Sequence, residues 1–264
     1  MSINHVANEY QIPRGRVYFD PFDANGNLTG EEPFGNCPGV TLNIASTKAD
    51  HYSSESGLRV KDASVVVEVN RGGTLQVDNI SVSNLGRFLA ATHEEVSQTD
   101  DPVAGAEYVV RVGRQYQLGQ TPTNPGGHRD ISTVVITTDD VSPVTLVLGD
   151  DYELDAARGR MRILPGGLVE DGDTIVVGYS KPERKWYRLR TGSQTELRGA
   201  LRIIADNASG DNRDYYMPDV TLTPDGDLPI ITDGVEFIAM SMGLEVLDPP
   251  NASAIYVDGQ PQPV

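Results

Sequence analysis

Histidines, cysteines and clustered carboxylates are the residues with which a chain does chemistry, and here their spacing offers little. The four histidines, His5, His51, His93 and His128, are scattered. None lies two, three or four positions from another, so no strand or helix face presents a local metal pair. Each reads as a loop residue. Gly-x-Ser-x-Gly, Gly-x-Gly-x-x-Gly and the phosphate-loop lysine motif are absent from the sequence. Asp23-Ala24-Asn25-Gly26-Asn27 opens like a calcium loop, but that template needs Gly and Glu where Leu28 and Phe34 stand. Asp150, Asp151 and Asp155 could gather a cation, yet their spacing suits turns and strand ends better. Asp225 and Asp227 flank Gly226 in what reads as a hairpin turn. Cys37 is the single cysteine and lies beside Pro38. A buried apolar role is expected for it, and neither an intrachain disulfide nor a cysteine zinc site is possible. No catalytic, metal-binding or cofactor-binding set is expected, and the chain does not read as an enzyme.

One basic run stands out, Lys181-Pro182-Glu183-Arg184-Lys185-Trp186-Tyr187-Arg188-Leu189-Arg190, which also holds the only tryptophan. Charge and stacking there would suit nucleic acid. Arg184, Lys185, Arg188 and Arg190 would equally suit a subunit contact against a neighbour's carboxylates. The simplest alternative is a solvated strand with alternate residues pointing outward. The whole chain argues against nucleic acid: 21 Lys and Arg against 38 Asp and Glu give a net charge of −17, which repels phosphate at long range.

The elements that must carry these residues are strands. With 264 residues the chain is long enough for one large domain or two small ones. Its 27 Gly and 17 Pro are together about 17% of the chain, against roughly 12% on average, which points to many turns and short strands. The N-terminus lacks a basic start and an apolar run, so no secretory signal is expected, and no stretch approaches a membrane span. Val40–Ala45 alternates apolar and polar. Residues 46–61 are polar and read as a long exposed loop. Ser64–Val69 and Thr74–Val77 flank Asn70-Arg71-Gly72-Gly73 in a hairpin pattern. Leu85, Phe88 and Leu89 form the apolar stripe of a short helix capped by Ser83 or Asn84, ended by a polar segment from Thr92 to Pro102. From Ala106 to Tyr179, the stretches Tyr108–Val112, Ile131–Thr138, Val144–Leu148, Gly149–Asp155, Arg160–Leu164 and Ile175–Tyr179 suggest a small sandwich-like module. Strands follow at Tyr187–Arg190, Ala200–Ala205 and Val220–Thr223. Val235–Val246 is a possible long strand, and the tail from Asp248 an extended arm.

The order of these features resembles the tail tube (major tail) proteins of long-tailed bacteriophages. The residues that carry the likeness are Gly15-Arg16-Val17-Tyr18-Phe19-Asp20-Pro21 with Asp23-Ala24-Asn25-Gly26, then Gly30-Glu31-Glu32-Pro33-Phe34-Gly35-Asn36. The strand Val40–Ala45, the loop Asp50–Gly57 and the resumption at Lys61-Asp62 follow. The middle block, with Gly149–Asp155 and Gly159–Leu164, resembles β modules of phage virion proteins and departs from the minimal tube protein. What the resemblance implies is a mainly β fold with a core of two packed antiparallel sheets and one flanking helix. Residues 1–103 and 182–264 would form that core with N- and C-terminal arms, and 104–181 an inserted β-sandwich-like domain. Six copies would close into rings, and rings would stack into a hollow virion tail tube assembled in the bacterial host cytoplasm. The tube would surround a tape-measure protein, meet tail terminator and tail-tip proteins, and pass DNA into the host without binding it specifically or inserting into a membrane. The stretch Ala49–Val60, with Asp50, His51, Tyr52, Ser53, Glu55 and Arg59, would match the loop that reaches the adjacent ring. The helix would be Leu85–Ala91, and the contact arms residues 1–13 and the tail.

Physical chemistry fits that role. Acids facing the bore keep DNA from sticking, and Glu68, Asp78 and Asp62 are the candidates. Strand pairing between copies would remove sheet edges, as barrel closure does. Six inserted domains have no space in the bore, so they would face outward and would clash with a contractile sheath, which favours a non-contractile tail. Two other classes compete. One is a β-rich adhesin or carbohydrate-binding module using the acids around Asp150–Asp155. The other is a glycosidase with paired carboxylates, disfavoured by an aromatic content of 6% with one Trp.

Overall fold

A computed structural model describes residues 10–55, 57–192 and 197–259. The protein is mainly β, 51% strand and 3% helix. In chain order the elements are β1 (Gly15–Pro21), β2 (Glu32–Pro33), β3 (Gly39–Ser53), β4 (Val60–Val77), α1 (Val82–Phe88) and β5 (Thr92–Gln98). The middle of the chain forms β6 (Val103–Val109), β7 (Gln115–Gln117), β8 (Ser132–Thr138), β9 (Tyr152–Asp155), β10 (Arg160–Ile163), β11 (Thr174–Ser180) and β12 (Arg184–Arg190). The last strands are β13 (Leu197–Ala205), β14 (Arg213–Pro224), β15 (Met240–Val246) and β16 (Tyr256–Gly259). Two compact units result: Glu94–Arg188, and the described residues before and after it. The expected boundaries, 104 and 181, lie inside the middle unit because β5 and β12 pair with each other and so carry the chain in and out side by side.

In the first unit eight strands join into one sheet in the order β2-β1-β13-β14-β15-β4-β3, with β16 also on β14. Two packed sheets were expected here. The length of β14 explains the difference, since it pairs with β13, β15 and β16 and leaves no break. Period-two alternation puts the core on one face. Val17 and Phe19 stand beside Ile203 and Leu201, then come Met217, Val220 and Leu222, then Met240, Met242, Leu244 and Val246, then Leu75 and Val77. Phe34, Phe88 and Ala254 close over this face. The cap of α1 is Ser81, not Ser83 or Asn84; its hydroxyl accepts from the Asn84 amide at 3.1 Å. Asn84 is buried instead, its Nδ2 donating to the carbonyls of Phe34 and Asn79.

The hairpin expected at Asn70–Gly73 is absent, since these residues lie inside the continuous β4. Gly73 is there for close approach, not for a turn: a Cβ on it would fall 1.8 Å from the Thr41 carbonyl oxygen. The expected loop at 46–61 is largely strand as well. Its polar side chains hid the strand because the hairpin is solvated on both faces and has no apolar–polar alternation to show. Of the long strand expected at Val235–Val246 only Met240–Val246 pairs, and residues 225–239 run without regular structure. The expected extended tail holds β16, antiparallel to β14. Residues 1–9 of the expected N-terminal arm lie outside the described residues, while Ile12 bridges Ser209.

The middle unit has two three-stranded antiparallel sheets, β7-β10-β9 and β6-β11-β8. Tyr152, Met161 and Ile163 from one, with Leu118 just after β7, share a core with Ile136, Ile175, Val177 and Tyr179 from the other. Val144–Leu148 is not a regular strand; it makes only isolated bridges, Thr137 to Thr145 and Leu148 to Tyr152. Within the polar segment 92–102 the structure forms β5, whose Glu94 and Glu95 face the basic residues of β12.

Candidate assembly surface

The long hairpin of β3 and β4 is half core and half arm. Near its base, Leu75 and Val77 are buried. Beyond it, Thr41–Tyr52 and Val60–Asn70 are exposed throughout. β15 pairs with β4 only over Arg71–Val77, so among the described residues Val60–Asn70 has β3 as its one strand neighbour. Among the described residues no strand pairs with the outer edge of β3. The arm therefore offers both edges and both faces. It is also apolar: Ile44, Val65 and Val67 are 62–63% exposed, with Leu42, Val60, Val66 and Val69 beside them. A solvated ribbon of β-branched residues with open edges is the kind of surface that proteins cover.

Sequence reading placed Asp50, His51, Tyr52 and Ser53 in a loop; they lie on β3. The connection proper is residues 54–59, holding Glu55 and Arg59, with Ser56 outside the described residues. The strand position explains their contacts. Asp50 Oδ1 accepts from Ser64 Oγ at 2.7 Å and lies 2.6 Å from Lys61 Nζ, and these bonds hold its carboxyl below the usual range. His51 Nδ1 is 2.6 Å from Asp62 Oδ1. The Arg59 guanidinium lies 4.6 Å from the centre of the Tyr52 ring. Two irregularities interrupt the pairing, between Thr47 and Lys48 and between His51 and Tyr52. Each inserts one extra residue on β4, Val67 and Asp62.

Register separates the acids proposed for the bore. Opposite the core face, Thr47 stands beside Glu68, Asn43 beside Gly72, and Gly72 beside Glu245. Glu245 pairs in turn with Thr221, and the Thr41 and Thr74 hydroxyls meet at 2.8 Å on this same face. The face is polar and carries both signs, since Arg198 stands beside Thr221 and bonds Asp219, and Glu245 is a member that sequence reading missed. Alternation of Met240, Met242, Leu244 and Val246 around it was the available signal. Asp62 is engaged by His51. Asp78 lies past the end of β4, ten residues or roughly 33 Å along the strand from Glu68, where it accepts from Asn36 Nδ2 at 2.6 Å. Asp78 shares the strand parity of Glu68 but stands far from it along the sheet.

Arg184, Lys185 and Arg188 of β12 find partners within the middle unit. Arg184 Nε bonds Asp130 at 2.6 Å, Lys185 Nζ bonds Glu95 at 2.9 Å, and Arg188 bonds Asn124 at 2.8 Å with Glu94 at 3.5 Å. Arg190 carries an interaction as well. Trp186 packs under the Arg129 guanidinium. The acids nearby serve turns. Asp151 is buried and accepts from the amides of Val147 and Leu168, while Asp155 accepts from Arg158, which lowers its pKa. Asp23 likewise accepts from the Asn25 and Asn27 amides, closing a turn. Cys37 is half-buried, and burial reinforced by Asp78 pushes its thiol up to about 11, which keeps it protonated and unreactive. Among the described residues no group of three His, Cys, Asp or Glu side chains is placed to hold a metal ion. No helix is long and apolar enough to cross a membrane among those residues.

No curated protein matches the chain in sequence. A family model described as "Protein of unknown function UCP028589" matches residues 10–254, and the chain belongs to that family.

Proposed function

We propose that this protein is a structural subunit that closes with copies of itself into rings and stacked tubes, in the manner of a phage tail tube. The observation that carries the reading is the β3–β4 arm. Its backbone edges are open over Gly39–Ser53 and Val60–Asn70, and its exposed side chains include Ile44, Val65, Val66, Val67 and Val69. A monomer would leave those donors and acceptors to water and those apolar groups exposed. Pairing each arm between the arms of two neighbours satisfies both needs at once and ends only when the circle closes. The face holding Glu68 and Glu245 then lines a surface that repels phosphate, as a conduit for DNA requires. The count of six copies, the tape-measure protein and the terminal partners follow from the resemblance to tail tube proteins.

Electron micrographs of the purified full chain at rising concentration test this. Rings or hollow tubes are expected. A variant in which residues 47–68 are replaced by Asn-Gly leaves Ser46 opposite Val69, keeps every core pairing and should sediment as a monomer. Wild-type protein that stays monomeric when concentrated, or an arm-shortened variant that still forms tubes, would overturn the proposal.

A further inference from the structure

Alternation along β10 sends Met161 and Ile163 into the core of the middle unit and leaves Arg160 and Arg162 on the outer face of its sheet. Register flanks the two arginines alike. Arg162 stands between Gln115 of β7 and Glu153 of β9, and Arg160 between Gln117 and Asp155. The two rows lie two residues apart, roughly 7 Å. A cleft of about 480 Å3 opens over this face, lined by Gln115, Glu153, Asp155, Arg160 and Arg162. Leu148, 59% exposed, adds an apolar patch to its wall.

Several polar groups here keep their bonding capacity open. Arg160 and the Gln115 side chain form no hydrogen bond or ion pair among the described residues. Arg162 Nη1 meets Glu153 Oε2 only at 3.5 Å. Gln117 and Asp155 are engaged, Gln117 Nε2 with the Arg158 and Gly159 carbonyls and Asp155 with the Arg158 guanidinium.

Charge narrows the ligand. Two guanidinium groups against two carboxylates leave the cleft without net charge, so it has little hold on a polyanion, and the chain at −17 repels one. The same guanidinium groups keep a metal ion away. A wholly apolar ligand would leave the polar lining desolvated and unpaired. Donors and acceptors set side by side suit a molecule whose own donors and acceptors lie close together. Neighbouring hydroxyls of a sugar ring meet that need, since each can give a hydrogen to a carboxylate and accept one from a guanidinium or an amide. The C–H face of the ring then packs on Leu148.

We propose that this cleft binds a neutral oligosaccharide, with Arg160, Arg162 and Gln115 donating to its hydroxyls and Glu153 accepting from them. Of the acids at Asp150–Asp155 that sequence reading offered to a sugar, Glu153 and Asp155 reach the cleft, while buried Asp151 serves the turn at Val147. The site lies wholly within the middle unit and does not depend on the tube reading.

Saturation-transfer difference NMR on the full chain tests it, because the method works on a monomer and on a large assembly alike. The probes are maltotetraose, chitotetraose and mannotetraose as neutral sugars and trigalacturonate as an acidic one. Transfer to the ring protons of at least one neutral sugar is expected, with none to trigalacturonate. Arg160→Ala and Gln115→Ala, both on exposed positions, should each weaken binding roughly ten-fold in a titration of that signal. Glu107→Ala, on the other sheet of the unit, should leave it unchanged. No transfer to any of the neutral sugars, or transfer that survives both cleft substitutions, would overturn the proposal. Transfer to trigalacturonate in place of the neutral sugars would overturn it too, by showing that the arginines select for charge. None of these outcomes bears on whether the chain forms tubes, which micrographs of the same samples report separately.

Discussion

At the scale of single residues, the polar groups of this protein are spent on structure. Asp151, Asp23 and Asn84 each satisfy backbone groups that a turn or helix start would otherwise leave open. His128 is the clearest case. Its Nδ1 lies 2.8 Å from the Tyr179 hydroxyl. Burial, reinforced by Lys181, holds the imidazole below its ordinary value of 6.5, and burial pushes the Tyr179 phenol up, so the phenol stays the donor. As pH falls through about 6.5 the unfolded chain takes up a proton that the folded chain refuses. Stability is therefore complete above that value and declines below it. Thermal melting of the full chain should show a transition falling between pH 7.5 and pH 5, and His128→Gln should flatten the decline; an unchanged slope in that variant would contradict the assignment. The sequence showed that His128 had no histidine partner, but not that a tyrosine 51 residues later completes its site. Long-range partners of this kind leave no local pattern.

At the scale of elements, alternation exposed most strands whose one face is buried. Arg160–Ile163 and Thr174–Ser180 are formed where the pattern indicated, within a residue or two, and Tyr152–Asp155 is the paired part of the stretch indicated from Gly149 to Asp155. What failed was informative. The β3–β4 arm has no dry face in the monomer, so its strands look like loop, and a glycine pair in mid-strand looks like a turn. Gly73 decides between those interpretations. Neither Gly72 nor Gly73 has positive φ, and the missing side chain at Gly73 lets β3 lie close against β4. Gly73→Ala should cost about 1–3 kcal/mol by forcing the strands apart, read as a lowered urea midpoint, whereas a turn glycine with free space around it would tolerate the change. Charge spacing carried the basic strand β12 into view, but the matching acids of β5, Glu94 and Glu95, were read as the polar end of a helix. Pairing of β5 with β12 is what makes that charge pattern intelligible.

At the scale of the whole molecule, Glu68 and Glu245 stand on one polar face of the sheet, and the tube reading gives those two acids work to do. Glu68→Lys with Glu245→Lys replaces two negative charges by two positive ones on each copy, on exposed positions outside the core. Assembly should survive, while the tubes should retain DNA in a low-salt filter-binding assay and release it as salt rises. Tubes that ignore DNA after the reversal would place these residues away from the bore. The two extra residues on β4, Val67 and Asp62, bear on how such growth is limited. A flat ribbon with open margins is a template without end, and fibrils exploit that. A bulged ribbon twists and bends at fixed points. On the tube reading a sibling strand would match it in one alignment only, and each addition would turn the growing wall by the same increment. On that reading the irregularities would act as a template for curvature, favouring a closed circle of copies over an unlimited fibre.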